Sequence, residues 1–436
     1  MTLKERISAY IKEFPGSTDE DIAKSFNKIH QQVNQACNEM NNCGLLIRRH
    51  NPEKNCLGNY PTSVNVDRIR SEFAELVSFD SESYYEREIK EYLKEKLISL
   101  GLSVEEDDAW KLLGHENPKS AGNLYGFLKG NAVGEPVLFS AHMDTVSPGN
   151  GKKAVFSYDG KVTSDGTTVL GADDISGIVS ILEALTVIKE NDLPHPDIEV
   201  VISAAEEPFC KGIAVFDFEK LRSKTAYVLD LTGSVGTAAV KAPTVLELDI
   251  TVTGKAAHSG FAPEDGINAL SIAANALSKL RTGHTDPDTT VNFGVIEGGT
   301  GKNIVPPSVH ILGEIRSLEH EKAVSGAEEI EKTFRAEALG LGGEVQFTAT
   351  EAIRAYDIAE GEPVRRRFDR AVAELGLGDA KYVTTLGGSD GNHFNKHGIS
   401  TIVIACAMCD VHTVYENTKM SELVRCAELT LKLMTI

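Results

Sequence analysis

Four apolar runs in this chain lead to a histidine or an acid, and an acidic pair opens a long apolar helix. Residues 137–141 lead to His142, 198–205 to Glu206 and Glu207, 227–229 to Asp230, and 401–405 on towards His412. The pair Asp173-Asp174 follows Leu170-Gly171-Ala172 and precedes Ile175, Ile178, Val179, Leu182 and Leu185 at helical spacing. It therefore sits at or just before a helix N-terminus. Alone, acids there are explained by capping and the helix dipole. Apolar runs separated by helical stretches such as 175–189 are the pattern of a doubly wound α/β domain. In such sheets ligands bind beyond the carboxyl ends of the strands, which is where these charged groups fall.

The chain has 436 residues, enough for two or three domains. Residues 1–62 read as three short helices, an apolar strand near Leu45-Leu46-Ile47 and a return strand at 57–60, which resembles a winged helix-turn-helix. Such a unit can read DNA through its third helix, here 27–40. This one carries one Lys and no Arg, so a docking or packing module is an equal reading. Residues 63–241 and 353–436 form the doubly wound part. Between them, 242–352 change rhythm to strand 245–253, helix 265–280, strands 290–296 and 308–316, helix 319–339 and strand 344–350. That is an inserted α+β domain of β-α-β-β-α-β order.

Composition excludes several classes. The longest apolar stretches fall short of the ~20 residues of a membrane helix, and residues 1–14 alternate charge with apolar groups, so a cytoplasmic protein is expected. Seven cysteines without a signal peptide favour free thiols. Cys37, Cys43 and Cys56 lack paired ligand spacing, and Cys406-Ala-Met-Cys409 lacks the second pair or thioredoxin-like context that a structural zinc or redox site needs. The net charge of −20 argues against nucleic acid as the main partner of the whole chain, and of the residues beyond 65 in particular. Residues 1–65 carry eight basic against seven acidic groups, a net of +1, and for them the question stays open.

The strand-end residues suit a metal site. His142 and Asp144, two apart, can face one side of the sheet, where a carboxylate holds the second nitrogen of a metal-bound imidazole. A satisfied histidine beside a turn aspartate before Pro148 fits as well. Glu206 and Glu207 cannot both be buried without a cation or a proton nearby. A preference for imidazole nitrogen and carboxylate oxygen accounts for the set, with His142 and Asp230 on one ion, Glu207 and His412 on another, and Asp173 bridging.

The segments Ser140-Ala-His-Met-Asp-Thr-Val146, Leu170-Gly-Ala-Asp-Asp174, Glu206-Glu207, Asp230, residues 254–268, Gly387-Gly-Ser-Asp390 and His412-Thr-Val-Tyr-Glu416 resemble those of the two-zinc peptidases of the peptidase T, carboxypeptidase G and aminoacylase superfamily, most closely its peptidase T-like branch. The resemblance runs from about residue 65 to 436 and leaves the first 60 residues outside. It implies His142, Asp173, Glu207, Asp230 and His412 as ligands of two Zn2+ per subunit, with Co2+ or Mn2+ as alternatives. It implies Asp144 as the residue orienting His142 and Glu206 as general base. His258 matches a lid histidine that stabilises the oxyanion, and Asn303 and Arg316 match substrate-contacting lid positions. The implied activity is tripeptide aminopeptidase, with removal of an acyl group from N-acyl amino acids as the alternative, in a homodimer formed through the lid.

Overall fold

A computed structural model describes residues 1–435. It divides into two compact units, one of Met1–Val240, Ile358–Val383 and the chain from Ser389 onward, the other of Lys241–Asp357 with Thr384–Gly388.

The first unit is built on a mixed sheet. Ser400–Ala405, Thr225–Leu231, Val137–His142 and Ile198–Ser203 lie side by side in that order, all parallel. Leu124–Leu128 and Ser103–Glu106 extend one side antiparallel, and Thr237–Ala242 pairs antiparallel with Ser400–Ala405 on the other. Every residue of Val137–His142 and Ile198–Ser203 is buried, as expected of parallel strands covered on both faces. The four parallel strands carry their C-terminal ends within about 15 Å of one another, three strand spacings of ~4.8 Å. The helix Ala172–Asn191 is buried nearly all round, between the sheet and the helices Val66–Val77 and Met420–Thr435.

Val155–Phe156, Lys161–Thr163 and Asn417–Lys419 form a small antiparallel sheet that no pattern in the sequence marks. These strands are too short to show a period.

Residues 1–62 fold as helices Leu3–Glu13, Asp19–Phe26 and His30–Asn42, then a hairpin of Ile47–Asn51 and Cys56–Tyr60. Capping boxes at Thr2/Glu5 and Thr18/Asp21 start the first two helices. The third begins later than 27 because Asn27 adopts a left-handed conformation that ends the second. Ile7, Ile11, Ile22, Val33, Cys37, Met40 and Leu46 make a separate small core. Buried Asp19 ties the elements together, accepting from Arg48, from Asn34 at 2.7 Å and from Asn59 at 2.9 Å. Arg49 donates to the Leu375 carbonyl, and the Asn42 carbonyl packs so closely on Gly160 that no side chain fits there. Both hairpin arginines are thus engaged within the chain, and the third helix exposes His30, Gln31, Gln32, Gln35, Asn38 and Glu39, without a Lys or Arg.

The second unit is an antiparallel sheet in the order Gly283–Asp286, Thr289–Gly298, Ser308–Ser317, Thr244–Thr253, Glu344–Ile353. Leu246, Leu248, Ile250 and Val252 alternate inward and pack against Ile272 and Ala276 of Ala269–Lys279 and Ile330 and Phe334 of His320–Leu341. The first of these helices starts four residues later than expected. Pro263–Asp265 makes its own 3₁₀ turn, and Asn268 caps the helix by accepting from Ser271 N at 3.0 Å. Gly283–Asp286 is an unforeseen fifth strand, its His284-Thr285-Asp286 carrying no apolar alternation.

Candidate active site

Beyond the ends of the parallel strands the first unit gathers all seven residues that the sequence reading placed there. His142, last of its strand and buried, brings Nε2 to 3.0 Å from Asp173 Oδ1 and 4.0 Å from Asp230 Oδ1. Its Nδ1 lies 3.0 Å from the backbone oxygen of Asp144 and 3.5 Å from that residue's carboxylate. His412 brings Nε2 to 3.3 Å from Asp173 Oδ2 and 3.0 Å from Glu207 Oε2. The two oxygens of Asp173 therefore face different histidines.

The backbone is held to achieve this. Asp173 and Asp174 have non-helical dihedrals ahead of the regular helix. Glu416 clamps the same loop, its two oxygens accepting from Gly171 N at 2.8 Å and Asp173 N at 2.9 Å. Three consecutive amides after Ile198–Ser203 are captured in turn: Ala205 N donates to Glu86 at 3.1 Å, Glu206 N to Asp144 Oδ1 at 2.9 Å and Glu207 N to Asp144 Oδ2 at 3.2 Å. Ser83 Oγ completes the set at 2.7 Å from Asp144 Oδ2. Asp144 thus touches His142 mainly through its backbone oxygen, while its carboxylate fixes the Glu206-Glu207 turn. Ala205 and His412 both have positive φ, 49° and 62°, a conformation disfavoured for side-chain-bearing residues and concentrated at functional sites.

The electrostatics suit a divalent cation. Burial drives the carboxyl groups of Asp174, Glu206 and Asp230 well above their usual range, and that of Glu207 upward. The pKa of His412 is raised to about 10 by its hydrogen bonds with Asp173 and Glu207. Burial opposes a charge on His142, but Asp144 and Asp173 outweigh it and its pKa is well raised. Glu207 Oε1 is buried with no hydrogen-bond partner. Ligand-type atoms of His142, Asp173 and Glu207, and of His142, Glu206 and Asp230, lie within 4.8 Å of one another. Imidazole and carboxylate donors at this density fit divalent ions of the zinc type.

Glu86, Asp390 and Cys210 were given no role from sequence, nor was Glu416 within its quoted motif. Burial with desolvation raises Glu86 to about 8, Asp390 to about 6 and Glu416 to about 7. Glu416 had a signal, an acid four residues after His412; Glu86 had none, since it lies in a charged stretch.

In the second unit, His258 accepts from Gly260 N at 3.1 Å and Phe261 N at 3.2 Å on Nδ1, which leaves the ring proton on Nε2. Asn303 is its neighbour, with its carbonyl accepting from Ser259 N at 3.0 Å. Arg316 stands towards the other end of Ser308–Ser317, paired with Glu314 at 2.8 Å and donating to the Leu386 carbonyl at 3.1 Å.

Carboxylates and imidazoles converging beyond the carboxyl ends of parallel strands, in an α/β unit interrupted by an antiparallel domain, define a hydrolase of the metallopeptidase class. The comparisons agree. Residues 243–341 match the family model of a peptidase dimerisation domain. The chain is 40% identical over 366 residues to the uncharacterized protein YqjE of Bacillus subtilis strain 168, covering 84% of this chain and 97% of that one. It is similar to the crystal structure of aminopeptidase PepT from Bacillus cereus ATCC 10987 (38% identity, TM-score 0.77, 86% and 99% of the two chains). It is also similar to that of a tripeptidase from Staphylococcus aureus subsp. aureus Mu50 (35%, 0.79, 86% and 98%). The chain belongs to the M20 family of metallopeptidases, in its peptidase T-like branch. Its relatives are matched almost end to end, so part of this chain has no counterpart in them.

Proposed function

We propose that the chain is a cytoplasmic di-zinc exopeptidase that removes N-terminal residues from short peptides, tripeptides or substrates of that size. The observation that carries the reading is the pair of contacts made by Asp173, one oxygen towards each histidine, as a carboxylate shared by two ions requires. His142 and Asp230 would hold one ion and Glu207 and His412 the other, with Asp173 shared between them. Such ions would supply a lowered water pKa, towards ~7, and polarisation of the scissile carbonyl. Glu206 takes a proton from the attacking water and returns it to the leaving amine. Asp144 keeps Glu206 and Glu207 in register by holding both of their amides. The similarity to an aminopeptidase and a tripeptidase supports the substrate class.

Free tripeptides and N-acyl amino acids, assayed side by side, test that class. Turnover of tripeptides that is lost when their amino group is acetylated is the expected result. Preferential hydrolysis of N-acyl amino acids would replace this reading with an amidohydrolase.

The lid residues belong to the same proposal. With its proton on Nε2, His258 is set to donate to a developing oxyanion. Ser308 and Arg316 are eight residues apart on one strand, about 26 Å, whereas an extended tripeptide spans about 10 Å. That separation supports a site shared between subunits, in which the His258-Asn303 end of one lid and Arg316 of the other serve the same small substrate in a homodimer. Mixing Glu206→Ala with His258→Ala subunits is the test. Half of randomly paired dimers are mixed, each with one working site, so about a quarter of normal activity should return. No recovery from exchanged pairs would confine His258 to its own chain or remove it from catalysis.

A further inference from the structure

Cys210 is buried, four residues beyond Glu206, and folds back on it: its Sγ lies 3.1 Å from Glu206 Oε1 and its backbone N donates to the Glu206 carbonyl at 2.5 Å. Ligand-type atoms of Glu206, Cys210 and Asp390 lie within 4.8 Å of one another, and Ser203 Oγ donates to the Asp390 carboxylate. The turn that places this thiol is tightly fixed. Lys211 N donates to the Ala205 carbonyl at 2.9 Å, and Gly212 packs against the Ala204 carbonyl so closely that no Cβ fits. Cys210 itself has φ of 54°, a conformation that favours glycine. A side chain at a backbone position that favours glycine points to a use for that side chain.

Resting on the assignment of Glu206 as general base, we propose that Cys210 is a positioning residue that holds the Glu206 carboxylate by donating its thiol proton to Oε1, leaving Oε2 free to face water. The contact suits the task. A glutamate has three side-chain torsions to fix, and general-base catalysis depends on the proton acceptor being within hydrogen-bond reach. A thiol is a weak donor, so it orients the carboxylate while withdrawing little of its basicity. Burial, with the charges of Glu206 and Asp390, pushes the thiol well above its usual range and keeps it a donor.

The test is a double-mutant cycle on the metal-loaded full chain. Cys210→Ala and Cys210→Ser are each made in the native and the Glu206→Gln backgrounds, with metal content, melting temperature, kcat and KM measured for all. In the native background, Cys210→Ala should lower kcat about tenfold with KM within twofold, and Cys210→Ser should recover most of the loss, because a hydroxyl also donates. In the Glu206→Gln background, Cys210→Ala should change kcat less than twofold, since the side chain that Cys210 orients no longer acts as a base. An equal loss in both backgrounds would reduce Cys210 to packing. A bound ion lost on Cys210→Ala would make it a ligand, and native kcat in that variant would remove it from the reaction. Each of these overturns the proposal. Near-normal turnover by Glu206→Gln itself would instead overturn the general-base assignment, so the two failures are distinguishable.

Discussion

Replacing Glu206 with glutamine is expected to lower kcat at least ~100-fold while two ions stay bound and KM changes little. The amide keeps the shape of the side chain and can still accept from Cys210, but it cannot take a proton from water. The backbone around it does not depend on the carboxylate, because Asp144 holds residue 206 through its amide. Glu207→Gln separates the two neighbours. That carboxylate meets His412 at 3.0 Å and has a buried oxygen without a partner, so its substitution should release an ion as well as activity. Metal analysis beside steady-state kinetics distinguishes these outcomes, and a Glu206→Gln enzyme with near-native turnover would contradict the assignment.

Removing the metal should have the larger effect still. A chelated, dialysed enzyme is expected to lose activity by three orders of magnitude or more, and about two equivalents of Zn2+ per chain should restore it. The five proposed ligand residues, four of them around a shared Asp173, are too many for a single tetrahedral ion. The metal-free protein should also melt at a lower temperature, because Asp173, Glu207 and Asp230 then share a buried space without a cation. Full activity without metal, or with one ion per chain, would refute the two-ion reading.

The candidate site was legible because its residues terminate strands. An apolar run that stops at His142, Glu206 or Asp230 marks both the strand and the edge of the sheet where the group emerges, and parallel topology then brings those edges together. His412 was harder to place, as six residues separate it from Ala405 and a left-handed turn sets its direction. Asp144 reads from the sequence as a partner of the imidazole, and its carboxylate lies 3.5 Å from His142 Nδ1 while also serving the amides of residues 206 and 207. Sequence spacing gives proximity but not which atom of a residue makes the contact. Short elements escaped for another reason. Gly283–Asp286 and the three small strands including Asn417–Lys419 have two to four residues each, and tertiary pairing alone determines them.

The Glu416 clamp also sets an order of assembly. His142, Asp173, Glu207 and Asp230 are synthesised before the inserted unit, and His412 and Glu416 long after it. At ordinary elongation rates the roughly 170 residues between Ala242 and His412 take on the order of ten to thirty seconds. The inserted unit emerges whole in that interval, while the loop at Gly171 to Asp173 waits for its anchor. A nascent chain can therefore present three of the proposed carboxylate ligands and one imidazole early, but it acquires the second histidine and the clamp only after the inserted unit has emerged. An incomplete chain, or one clipped ahead of His412, is left without a finished hydrolytic centre while it is still being made or cleared.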